Sequence, residues 1–105
     1  MNRRHFLQTT AGAALTSCAT FREPDALIID THQHLWDRRV LNLPWLGGAP
    51  VVLRHDYVTA DYLKATAGLN VKAIYMEVDV APKDHIKEAD GIVAQCRAGN
   101  TPTIA

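Results

Sequence analysis

The stretch Leu27-Ile28-Ile29-Asp30-Thr31-His32-Gln33-His34-Leu35-Trp36-Asp37 limits what this chain can fold into more than any other. Its first three residues form a continuous apolar run, the pattern of a parallel strand covered on both faces. The run stops where polar residues begin, as at the C-terminal mouth of a parallel barrel, where active sites are built. Alternate residues of an extended strand share a face, which puts Asp30, His32 and His34 on one side. Two imidazoles then stand together. Neutral imidazole is a good ligand for zinc and other divalent metals, so His32 and His34 are candidates for half of a metal site. A surface strand end that merely carries His-x-His is the competing reading.

The rest of the chain reads as alternating β and α units. Thr59 can cap a helix through Tyr62, Leu63, Ala65 and Ala67, closed by Gly68 in a left-handed turn. A second strand is expected over Val71–Val80, with Glu77 and Asp79 on one face at its carboxyl end. Glu77 is a candidate substrate anchor there, against the alternative of a solvated strand end. Pro82 opens a further helix at its first turn. Ile86, Ala89, Val93 and Cys96 repeat at three- and four-residue steps and are expected to cover the sheet, leaving His85, Lys87 and Glu88 in solvent. Asn100–Ala105 reads as a loop entering a third strand.

Between the first strand and the first helix lies a long connection, about Asp37 to Asp56, containing Pro44, Gly47, Gly48 and Pro50. Loops of this size in a compact domain are usually functional. Trp36 is the candidate substrate-binding aromatic at its base. Trp45 and Leu46 can line the same pocket, or Trp45 can pin the loop to the rim. His55 can line that pocket as well, or stand as a solvated loop residue.

Asp30-x-His32-x-His34-x-Trp36, followed by Pro44-Trp45-Leu46, Asp61-Tyr62-Leu63 and Ala73-Ile74-Tyr75-Met76-Glu77-Val78, resembles the opening of the amidohydrolase-related (amidohydrolase 2) family. The nearest group is that of L-fuconolactonase and 2-pyrone-4,6-dicarboxylate lactonase. The resemblance covers residues 27–105 and implies the first two to three strands of a (β/α)8 barrel of TIM type, incomplete in this chain. It implies a hydrolase that opens a sugar lactone or similar cyclic ester. A divalent metal, zinc first, is the implied cofactor, held by His32 and His34; in the lactonase group the same histidines can instead bind a substrate carbonyl or carboxylate. A metal-dependent decarboxylase of the same superfamily is the enzymatic alternative, and a non-catalytic tethered remnant or binding module is the other. The later histidines and final Asp of the family pattern are not in the sequence, so this chain alone is expected to be inactive.

The amino terminus carries a different kind of signal. Arg3-Arg4-His5-Phe6-Leu7 precedes a short, weakly apolar run, Thr9 to Leu15, which matches a twin-arginine export signal over residues 1–17. A basic amphipathic helix is the alternative. Leu15-Thr16-Ser17-Cys18 resembles a lipobox, making Cys18 a candidate lipidation site, or else part of an ordinary cleavage zone. Residues 18–26 read as a tether. The expected location is the periplasm or a lipid anchor at the bacterial envelope, with the export machinery as a partner. Hydrophobic residues make up 48% and the formal net charge is zero, with no basic patch, so nucleic acid is not an expected partner. Cys96, in a helical pattern, reads as a small core residue without a disulfide mate.

Overall fold

The computed structural model describes residues 25–105; Arg3, Arg4 and Cys18, with the export and lipidation readings that rest on them, lie outside the described residues. The described chain is a mixed α/β unit: strand β1 (Leu27–Gln33), helix α1 (Thr59–Ala65), strand β2 (Asn70–Tyr75) and helix α2 (His85–Ala98). The strands pair in parallel, as a β-helix-β connection requires. Ala73 donates from its backbone N–H to Pro102 O at 2.9 Å and accepts from Ile104 N at 2.9 Å, so the segment after α2 runs along β2 on the side away from β1.

The register of β1 corrects the expected strand phase. Asp30 pairs with Ala73, but Gln33 pairs with Tyr75, so β1 carries one residue more than β2 between these pairs. Such a bulge reverses which side chains face which way. Asp30 and Gln33 lie on the face that the helices cover. There Tyr62 of α1 donates to Asp30 Oδ2 at 2.8 Å, and Tyr75 donates to Glu88 of α2 at 2.6 Å. His32 and His34 lie on the opposite, open face, with Ile29 and Met76. Asp30 does not share their side. Exposure follows the same division: Ala73 is 0% and Gln33 2% exposed, against 45% for Ile29.

The second strand ends at Tyr75 rather than Val80. Met76 still donates to Gln33 O at 2.7 Å, after which the backbone leaves the ladder. Val78 and Val80 turn inward and are buried, while Glu77 and Asp79 stay exposed on a common side. The main apolar cluster forms here: Trp36, Leu43, Leu46, Ala49, Val78 and Val80 pack together beneath the long connection. That connection holds two 3-10 turns, Pro44–Gly48 and Val51–Leu53. Its ends are stitched by reciprocal backbone bonds between Trp36 and Tyr57, at 2.8 and 2.9 Å.

Helix α1 is capped from the residue before Thr59. The Val58 N–H donates to the Asp61 carboxylate at 2.8 Å, and Thr59 is the first helical residue. Gly68 takes φ 78° after the helix, as expected of a left-handed terminator. Helix α2 is rotated relative to its expected orientation. Ile86 is 74% and Val93 46% exposed, whereas Glu88 is 7% exposed and faces inward. The cause is a demand for an acceptor: the segment after β2 crosses the inner side of α2, and Glu88 Oε1 accepts from both Tyr75 Oη and Val78 N, the latter at 2.9 Å. A Leu or Ile at that position would leave the Val78 N–H unpaired and Tyr75 Oη with Leu35 O alone, at 3.2 Å.

Candidate active site

His32 and His34 stand at the end of β1 with ring centroids 4.9 Å apart and planes at 79°. Strand alternation after the bulge brings them together, and both are exposed. His34 Nδ1 lies 3.2 Å from Met76 O. A carbonyl only accepts, so this bond places the proton on Nδ1 and leaves the His34 Nε2 lone pair free. Histidine ligands are typically oriented by such a second hydrogen bond.

An open hollow of about 420 Å³ adjoins His34, lined by His34, Trp36, Trp45, Leu53, Glu77, Val78 and Asp79; His32 does not line it. His34, Trp36 and Glu77 therefore meet at one place. Trp36 is 8% exposed, and its indole N–H donates to His55 O at 2.7 Å. Trp45 packs edge-on to it at 5.6 Å and donates to Val78 O at 2.7 Å. Trp45 thus both pins the connection and lines the hollow. Glu77 accepts from the Asp79 backbone N–H at 2.6 Å through Oε2. His55 is exposed and outside the hollow, with Nε2 3.0 Å from Tyr57 Oη.

Asp30 plays a different part from the histidines. It accepts from Tyr62 Oη on the helix side and from the His32 backbone N–H at 3.0 Å, bracing the strand end from behind. Burial, and then the bond to Asp30, push the Tyr62 phenol up to about 12. Burial and Glu88 likewise hold Tyr75 strongly in its protonated, donating form. Gln33, between the histidines, is buried and accepts from Thr103 Oγ1 at 2.7 Å. No periodic signal in the sequence marked Gln33, Glu88 or the Met76 carbonyl as supports, because each acts through a partner distant in the chain.

The donor set fits half of a metal coordination shell. The two imidazoles are edge-to-face neighbours, that of His34 hydrogen-bonded through Nδ1, but among the described residues no cluster of three or more His, Cys, Asp or Glu suited to a metal is formed. Cys96 is half-buried and has no disulfide partner among the described residues. No described helix is long and apolar enough to cross a membrane.

The described residues form a parallel β/α unit whose open face ends in a histidine pair beside a tryptophan-lined hollow. The chain resembles the structure of amidohydrolase 2 from Bifidobacterium longum subsp. infantis, with 38% identity and a TM-score of 0.54 over 65% of this chain and 27% of that one. It is 48% identical over 33 residues to L-fucono-1,5-lactonase of Burkholderia multivorans, a match covering 31% of this chain and 11% of the relative. No family model matches the chain. Both matches support an amidohydrolase-2 resemblance for this stretch, which spans about a quarter of the solved structure and a tenth of the lactonase.

Proposed function

We propose that this chain forms the first β/α units of a (β/α)8 hydrolase that opens a sugar lactone or a similar cyclic ester. The observation that carries the reading is the supported His32–His34 pair facing outward beside the hollow, on a stretch similar to a sugar lactonase. The two imidazoles would hold a divalent metal, zinc first, with further ligands from beyond the described residues. When bound, the metal supplies Lewis-acid polarisation of the ester carbonyl. The remaining work falls to this chain's own groups. Met76 O orients His34, Trp36 and Trp45 offer an apolar wall to a sugar ring, and Glu77 offers a carboxylate to its hydroxyls. The catalytic constellation needs the other strands of the barrel, so the 105-residue chain alone is inactive in this reading. Export through the twin-arginine machinery and lipidation at Cys18 complete it, and mass spectrometry of the mature amino terminus checks them.

The test uses the protein in the longest form its reading frame encodes, assayed for ring opening of L-fucono-1,5-lactone by proton release. His32→Ala and His34→Ala should each lower kcat/KM by more than about 100-fold, equivalent to ~2.7 kcal/mol of lost transition-state stabilisation. His55→Ala, an equally exposed histidine away from the hollow, should leave the rate within about twofold. Equal effects from all three substitutions would refute the assignment of the pair.

A further inference from the structure

The segment between β2 and α2 holds a backbone feature that packing alone does not require. Asp79 has φ 51°, and among the described residues it is the one non-glycine in the left-handed region. A side chain with a Cβ is disfavoured there, and such conformations persist where neighbouring bonds hold them. The bonds are on either side of Asp79 in this case. Val78 is held at both ends, its N–H on Glu88 and its C=O on the Trp45 indole. The next N–H, that of Asp79, turns back to meet Glu77 Oε2 at 2.6 Å. Glu77 Oε1 has no hydrogen-bond partner among the described residues, and Glu77 and Asp79 both line the hollow beside His34.

We infer that Asp79 is a positioning residue: its left-handed backbone, rather than its carboxylate, clamps Glu77 at the wall of the hollow so that the free oxygen can accept hydrogen bonds from a polyhydroxylated ligand. Glu77 is thereby the specificity element that favours a substrate bearing free hydroxyls over a plain cyclic ester. This inference rests on the lactone-opening reading for its ligand but not for its geometry. The clamp tolerates Asn and Gly at position 79, since both adopt the left-handed region readily, and opposes β-branched residues.

Two measurements on the same protein separate the geometry from the ligand. Amide hydrogen exchange at residue 79 should be at least about tenfold slower than in Glu77→Ala, although the residue is exposed, because the N–H is bonded. Asp79→Asn and Asp79→Gly should keep that protection. In the lactone assay, Asp79→Val should raise KM for L-fucono-1,5-lactone about tenfold, the equivalent of ~1.4 kcal/mol. It should leave kcat and the KM for an unhydroxylated lactone within about twofold. Asp79→Asn and Asp79→Gly should match the unsubstituted protein, and they keep the test open if Asp79→Val does not fold. Unprotected exchange at residue 79 would overturn the clamp whatever the activity. Asn and Gly variants as impaired as Val would show that the Asp79 carboxylate itself is needed. Protected exchange in a protein that opens no lactone upholds the clamp and sinks only the substrate reading.

Discussion

Replacing Glu88 gives the most demanding test of how α2 holds the site. Glu88 Oε1 accepts from Tyr75 Oη at 2.6 Å and from Val78 N at 2.9 Å, in a residue that is 7% exposed. Glu88→Leu has similar bulk and removes both acceptor functions. A buried donor left without a partner costs about 1–3 kcal/mol. Tyr75 Oη keeps a second acceptor, Leu35 O at 3.2 Å, so its share lies at the lower end, ~1 kcal/mol. Val78 N–H has no other acceptor among the described residues and takes ~2 kcal/mol, for a total of about 3. Added leucine burial returns no more than ~1 kcal/mol. The net loss is therefore about 2–3 kcal/mol, a large share of the stability of a domain this size.

Urea unfolding followed by tryptophan fluorescence reads this directly, since Trp36 and Trp45 pack against Val78. With a slope near 1–1.5 kcal/mol/M, the midpoint of Glu88→Leu should fall by roughly 2 M. Glu88→Gln keeps an acceptor oxygen and should lose about 1 kcal/mol or less. In a double-mutant cycle, Tyr75→Phe and Glu88→Leu should couple by about 1 kcal/mol. If Gln is as damaging as Leu, the negative charge rather than the two acceptor bonds orients α2. If Leu is as stable as the unsubstituted chain, the demand for an acceptor does not set the rotation of the helix.

Two further outcomes follow from the same connections. Asp84 is held below its ordinary value of 3.8, first by the Asn42 N–H at 2.8 Å and then by Lys87 at 3.2 Å. A depressed carboxyl contributes stability above its unfolded value that is lost as pH falls through the folded one, so Asp84→Asn should flatten the acid limb below about pH 4 in a pH-dependent unfolding series. Gly68 has φ 78°, and no neighbouring atom lies within 4 Å of where a Cβ would stand, so Gly68→Ala should cost about 1–2 kcal/mol from backbone strain alone, read as a lower urea midpoint.

The two strands and two helices were legible because each depends on neighbours in sequence. The apolar runs at Leu27–Ile29 and Ala73–Met76 form the paired strands, and Gly68 and Pro82 mark a helix stop and a turn start. Parallel pairing of the two strands aligns their ends, so the strand assignment alone implies that His34, Trp36 and Glu77 come near one another, and they line one hollow. What was hidden depends on partners far along the chain. Glu88 lies in a run whose spacing favours Ile86 and Val93 as the inner face, and only the unpaired donors of Tyr75 and Val78 explain why a carboxylate turns inward. The early end of β2 has the same origin, because Val78 is drawn into the cluster beneath the long connection.

The bulge in β1 shows why a strict period of two misassigns this motif while still finding its histidine pair. Read as a regular strand, Asp30, His32 and His34 would all face one side, and Asp30 would pass for a third site residue. The extra residue before Gln33 divides the motif between two jobs. Asp30 meets Tyr62 and ties the strand to α1, where burial and then this bond push the phenol up to about 12. Beyond the bulge, His32 and His34 still alternate with buried Gln33, so their pairing survives while their face changes. A one-residue shift inverts every side chain that follows it. The tie between strand and helix therefore lies on one side and the histidine pair on the other, and a single irregularity in β1 connects the two.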